Sequence, residues 1–131
     1  MTETVQPPSD ASLLAKADHR TFHLVPTEHW EAQRAGEDYL PERFGEEGFI
    51  HCTDTFDEVV AVGNRYYHSD PRPYVLLEID CGQVAAPIVY EDPDRHFPHI
   101  YGHLETAAVR RVLPVSRDAE GRFLGIPDDA A

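Results

Sequence analysis

The sequence predicts one α+β domain with a curved, mainly antiparallel sheet and two helices inserted early. Three observations carry this. Segments of strand character outnumber those of helical period. Both helical segments fall in the first half of the chain, before the DPRP punctuation at residues 70–73. No repeat or low-complexity tract divides the 131 residues, a length suited to a single core. The domain is expected over residues 21–126, between a flexible N-terminal arm at 1–20, rich in proline and small residues, and a short C-terminal tail at 127–131.

The first strand is read at Thr21–Val25: Phe22 and Leu24 share one face, His23 and Val25 the other, and Pro26 ends the pattern. Thr27 then caps a short helix through Ala35, with Gly36 as its stop. A second strand, Gly48–Cys52, sets Phe49 and His51 on one face and Ile50 and Cys52 on the other. Thr53 or Thr55 caps a helix running to about Tyr67. Thr55 and Glu58 have capping-box spacing, and Phe56, Val59, Val60, Gly63, Tyr66 and Tyr67 form an apolar stripe. Tyr74–Asp80 (YVLLEID) reads as a central strand because its apolar run suits burial on both faces. A short strand at Ile88–Glu91, a proline-bearing loop at Asp92–Pro98 and a helical turn after Glu105 follow. A strand at Val109–Val115, a turn at Glu120–Arg122 and a last extended piece, FLGIP, complete the chain.

Eleven basic against 24 acidic residues give a formal charge of −13 and a pI near 4.8. This is the wrong sign for tracking a phosphate backbone, so no extended nucleic-acid partner is expected. A small-molecule or nucleotide ligand stays open, because net charge governs steering more than the chemistry of one enclosed site. No apolar run reaches the roughly 18 residues of a membrane span, and the first residues lack a signal peptide's basic and apolar regions. The expected setting is cytoplasmic, with no membrane partner and with Cys52 and Cys81 as reduced thiols.

Eight histidines make that residue the one to follow. His96, His99 and His103 have a metal-like spacing, but Pro98 and Gly102 break any helix that would align them, and no metal is expected. The plainer reading is a loop with one buried, hydrogen-bonded imidazole. Cys52 beside His51 is no nucleophile–base pair, since neighbours on a strand point to opposite faces; a small core residue is the plainer role. His23 and His51 lie on separate apolar strands. Each alone suits a satisfied core imidazole; together, with Glu78 and Glu91 on later strands and His99 and Tyr101 near them, they form an enzyme-like inventory.

Several segments carry a resemblance: FHL at 22–24, Trp30, Gly36, EGFIHCT at 47–53, LLEID at 76–80, Glu91 and above all FPHIYG at 97–102. In this order they resemble the small bacterial proteins of domain of unknown function 952, over roughly Thr21 to Val115. That family is similar to the ADP-ribosyltransferase fold, nearest its RNA 2′-phosphotransferase branch, which implies a split sheet. It also implies that His23 contacts a ribose hydroxyl of NAD and that His51 walls the nicotinamide side. Leu24 follows His23 where that fold's first-strand motif has glycine.

On this resemblance the catalytic set is His23, His51, Glu91 and His99. Glu91 is the first choice, and Glu78 the second, for the carboxylate that stabilises an oxocarbenium ion. Ligand contacts are expected from Thr53, Glu78, Tyr101 and Trp30. The implied reaction is transfer or hydrolysis at the nicotinamide–ribose bond, with NAD as substrate. Two rival readings stand beside it: a non-catalytic module binding a nucleotide-like metabolite in the same cleft, and a histidine-based acid–base enzyme acting on a small metabolite.

Overall fold

In the computed structural model, Leu14, Lys16 and residues 18–126 are described. Most of the arm expected at 1–20 and the whole tail at 127–131 lie outside them. Within the arm, the Leu14 N–H donates to the Ile88 carbonyl at 2.8 Å, and the Lys16 ammonium donates to the Val84 and Ala86 carbonyls at 2.7 and 2.6 Å.

Strand β1 (Arg20–Pro26) pairs antiparallel with β4 (Tyr74–Asp80), from Arg20↔Asp80 to Pro26↔Tyr74. The other edge of β4 pairs antiparallel with β8 (Val109–Pro114). A strand flanked on both edges and covered on both faces needs a continuous apolar run, and β4 is buried without a break from Leu76 to Ile79. The two faces feed separate cores. Val25, Leu77 and Ile79 pack with Ile50, Ile88 and Ile100, whereas Leu24, Leu76 and Leu113 pack with Val59 and Phe123.

A second antiparallel sheet has the order β3 (Ile50–His51), β6 (Pro98–Ile100), β5 (Ile88–Tyr90). Ile50, Ile100 and Ile88 stand in register across it, all fully buried. Phe22 and Thr53 join the two sheets by exchanging backbone hydrogen bonds of 2.9 and 2.8 Å. Two small ribbons complete the fold, β2 (Asp38–Tyr39) with β7 (Leu104–Glu105) and β9 (Ser116–Arg117) with β10 (Phe123–Gly125). The architecture is thus mixed α and β, with mostly antiparallel pairing and few helices.

Among the described residues three α-helices, not two, precede β4. In α1 (Thr27–Gln33) the N-cap is Pro26 rather than Thr27, whose N–H donates to the Pro73 carbonyl. The unexpected α2 (Phe44–Glu47) is one turn ended by Gly48 at φ 80°, a left-handed geometry that glycine adopts without a Cβ clash. Helix α3 (Phe56–Val62) begins as expected, the Thr55 hydroxyl accepting from the Glu58 N–H and donating to the Glu58 carboxylate.

The helix expected to continue to Tyr67 changes character at Gly63, where a π-helical turn runs through Tyr67. Its wider winding takes Tyr66 off the apolar stripe, and Tyr66 is 64% exposed instead of joining the core. Gly63 sits against the buried Phe123 ring, 2.7 Å from where a Cβ would stand, so this close approach admits glycine alone. Among the described residues no helix is long and apolar enough to cross a membrane.

Candidate functional site

A cleft of about 960 Å³ opens beside the joint between the two sheets. One wall is the joint itself: His23 and Leu24 from β1, then His51, Cys52 and Thr53 at the end of β3, with His99 from β6. Tyr39, Glu42, Arg43 and Glu47 form a second side. The π-turn residues Arg65, Tyr66 and Tyr67 form the third, with Asp70 and Arg72 beyond.

His23 is 5% exposed, and burial lowers its pKa from 6.5 to about 4, so the ring is neutral at neutral pH. Its tautomer follows from its partners. The His51 carbonyl can only accept, so Nδ1 carries the proton and donates at 2.7 Å; Nε2 then accepts from the Tyr39 hydroxyl at 2.8 Å. Both nitrogens are engaged, and the ring ties β1 to β3 beneath the cleft. Tyr39 is fully buried, and burial raises its phenol pKa, which keeps it a donor.

His51 and His99 are direct cross-strand partners, so their side chains share a face, with ring centroids 5.0 Å apart at 82°. Each has a carboxylate. His51 Nε2 lies 3.3 Å from Glu47, and His99 Nδ1 donates to Glu91 at 2.8 Å. Phe49 stacks on His99 at 4.1 Å and fixes its plane. Burial is the larger influence on His99 and lowers its pKa, although Glu91 pulls the other way. A neutral His99 with the proton on Nδ1 has its Nε2 lone pair available as a base.

Glu91 stands behind His99, outside the cleft lining. It accepts from the Tyr101 hydroxyl and from His99, and these hydrogen bonds, Tyr101's the larger, hold its carboxyl below the ordinary value. Burial and Glu91 together raise the Tyr101 phenol. Both hydrogen bonds fall on the same oxygen, Oε1, which makes Glu91 a positioning partner of His99; neither Glu91 nor Tyr101 is among the residues that line the cleft. Thr53 lines the cleft and is 6% exposed.

Glu78 and Trp30 do not reach the cleft. Register places Glu78 opposite Phe22 and Leu77 opposite His23, so Glu78 projects from the sheet face away from His23. There it is 2% exposed and accepts from Arg20 at 2.8 Å and from Arg111 at 2.5 Å. Burial pushes its carboxyl up, but the two guanidiniums outweigh it and leave the pKa below the ordinary value. Trp30 is a core residue, 4% exposed, whose ring packs edge-on against Tyr39 at 5.7 Å.

The three later histidines pair with three different carboxylates: His96 with Glu58, His99 with Glu91 and His103 with Asp38. No group of three or more metal-capable side chains converges among the described residues. Cys52 and Cys81 are free and buried, and burial raises both thiols, Cys81 to about 12. On the far side, Arg72 holds Glu42 at 2.9 and 3.0 Å and Asp70 at 2.8 Å, which keeps the Asp70 carboxyl well below the carboxylate range.

Glu47, Tyr39 and Tyr66 are among the cleft residues that the sequence does not single out. Glu47 carried a signal, four residues before His51 in EGFIHCT. Tyr39 lies in a two-residue strand too short for a period to show. The helical period places Tyr66 on the apolar stripe.

A family described as "Protein of unknown function (DUF952)" matches residues 24–112 of the chain. No curated protein matches it. The crystal structure of protein CC0527 from Caulobacter crescentus is similar, with a TM-score of 0.67 at 19% identity over 80% of this chain and 93% of that one. The solution structure of CC0527 gives a TM-score of 0.57 at 19% identity, over 83% and 91%. At that identity the likeness concerns the fold. With the family match spanning most of the sheet residues and every histidine of the cleft except His23, the chain belongs to the DUF952 family.

Proposed function

We propose that the protein is an enzyme that binds a small nucleotide-like metabolite in this cleft and uses His51 and His99 as an acid–base pair at the reacting bond. One observation carries the reading: two imidazoles on paired strands, 5.0 Å apart, each beside its own carboxylate, face a cleft large enough for a nucleotide. In this scheme His99 Nε2 takes a proton. His51, with Glu47 as partner for a proton on Nε2, gives one to the leaving group.

A second reading is an ADP-ribosyltransferase-like reaction at the nicotinamide–ribose bond of NAD. It is favoured by two antiparallel sheets meeting at the Phe22–Thr53 bridge, with His23 and His51 flanking that joint and both lining the cleft. In that case Glu47, and not Glu91, is the cleft carboxylate placed beside His51 for a developing positive charge.

The test is thermal stabilisation by NAD, ADP-ribose and nicotinamide, followed by product analysis with the stabilising ligand. A ligand at 100 times its Kd stabilises by about 2.7 kcal/mol. The expected outcome is stabilisation retained in His51→Gln and His99→Gln, with turnover reduced about a hundredfold in each. Activity should be lost as pH falls through the lowered pKa of His99, because the neutral ring is the working base. Nicotinamide release identifies the second reading. Stabilisation without turnover contradicts both and leaves a binding module.

A further inference from the structure

We propose that the π-turn wall of the cleft is a nucleobase subsite: Tyr66 stacks a planar ring, Arg65 steadies it, and the ligand's recognised part is a nucleoside rather than a phosphate-rich tail. This names the ligand class of the site and rests on its being a ligand cleft; it does not depend on the histidine chemistry.

Among the described residues Tyr66 is the most exposed of the large apolar side chains, at 64%, and it lines the cleft. The five-residue winding of Gly63–Tyr67 puts it there, and π turns recur where a helix departs from regular winding for function. An aromatic face left in water inside a concavity is a stacking platform for any ring-bearing ligand. The Arg65 guanidinium stands 5.4 Å from the Tyr66 ring centroid, placed to join the stack through its own plane.

Charge puts recognition on the ring and not on a phosphate tail. The lining carries the carboxylates of Glu42, Glu47, Glu58 and Asp70. Of its guanidiniums, Arg43 is paired with Glu46 and Arg72 with Glu42 and Asp70. Arg65 alone of the three has no carboxylate partner among the described residues, so a pyrophosphate gains little net attraction from the lining, and a dinucleotide would be held on this wall by its base. A neutral nucleoside needs no such attraction.

The experiment is calorimetric titration of the full chain with adenosine, guanosine, cytidine, uridine and nicotinamide riboside, with ribose 5-phosphate and pyrophosphate as ring-free competitors. At least one nucleoside is expected to bind. Its Kd should rise about tenfold or more in Tyr66→Ala and return close to the parent value in Tyr66→Phe, which keeps the ring. The ring-free compounds should not compete. Tyr66 is exposed, so an unchanged melting temperature will verify that Tyr66→Ala is folded. Absence of binding by all five nucleosides, a Kd indifferent to Tyr66→Ala, or competition by pyrophosphate overturns the subsite. Ring binding that persists in His51→Gln and His99→Gln while neither variant alters turnover would defeat the acid–base reading and leave the subsite standing.

Discussion

The Arg20→Ala, Arg111→Ala double variant is expected to lose about 3 kcal/mol of stability, measured by urea denaturation near neutral pH. Glu78 is the reason. Its carboxylate is 2% exposed in the middle of the central strand, and its two partners reach it from the neighbouring strands β1 and β8. Both guanidiniums are half exposed, so their attraction is screened on the solvent side and the figure sits at the low end for a broken buried pair. Removing them leaves a buried charge with burial as its dominant influence.

The pH dependence gives the sign. In the parent, the Glu78 carboxyl lies below its ordinary value, so its contribution is present above the unfolded carboxylate range and is lost as pH falls through the folded pKa. In the double variant the folded pKa rises above the unfolded one, and acidification towards pH 5 should restore part of the lost stability. Glu78→Gln in the same background removes the charge and should abolish that recovery. A double variant as stable as the parent would show that Glu78 is not held by these arginines.

A second large effect concerns His23. Its pKa falls from 6.5 unfolded to about 4 folded, because burial disfavours the charged ring. Above pH 6.5 both states are neutral and the group contributes no slope. As pH falls through that value the unfolded chain gains a proton that the folded protein refuses, and about 3 kcal/mol of stability is lost by pH 4. His23→Gln should flatten this part of the stability curve. An unchanged slope would mean that His23 titrates freely and is not locked between Tyr39 and the His51 carbonyl.

Much of this architecture is legible locally. The run YVLLEID marks a strand buried on both faces, and Thr55 with Glu58 marks the start of a helix. Strands β2 and β7 have two residues each, too few for a period, and exist because their partners do. Strand β6 opens on Pro98, which reads as a loop, yet a proline at the first position of a strand forfeits little pairing.

The site was legible in its parts and not in its assembly. His23 and His51 stand out as polar imidazoles set in apolar segments, and His99 through its place in FPHIYG. Whether they meet depends on pairing between residues far apart in sequence, and on registers that put His99 beside His51 and turn Glu78 away from His23. A shift of one residue would exchange those outcomes. Tyr66 escaped notice because the helical period assigns it to the core, and only the π turn moves it into the cleft.

On this reading His51 and His99 face one ligand in the cleft beside the sheet joint. Ring-resolved NMR of the histidines, recorded during titration with NAD, ADP-ribose, nicotinamide and the five nucleosides, tests it most directly. At least one compound is expected to move the His51 and His99 ring signals together. His96 and His103, which lie outside the cleft lining, should stay in place, and His23 should keep its proton on Nδ1. Signals of His51 and His99 that stay fixed under every compound, or that stay fixed while His96 and His103 move, would contradict it.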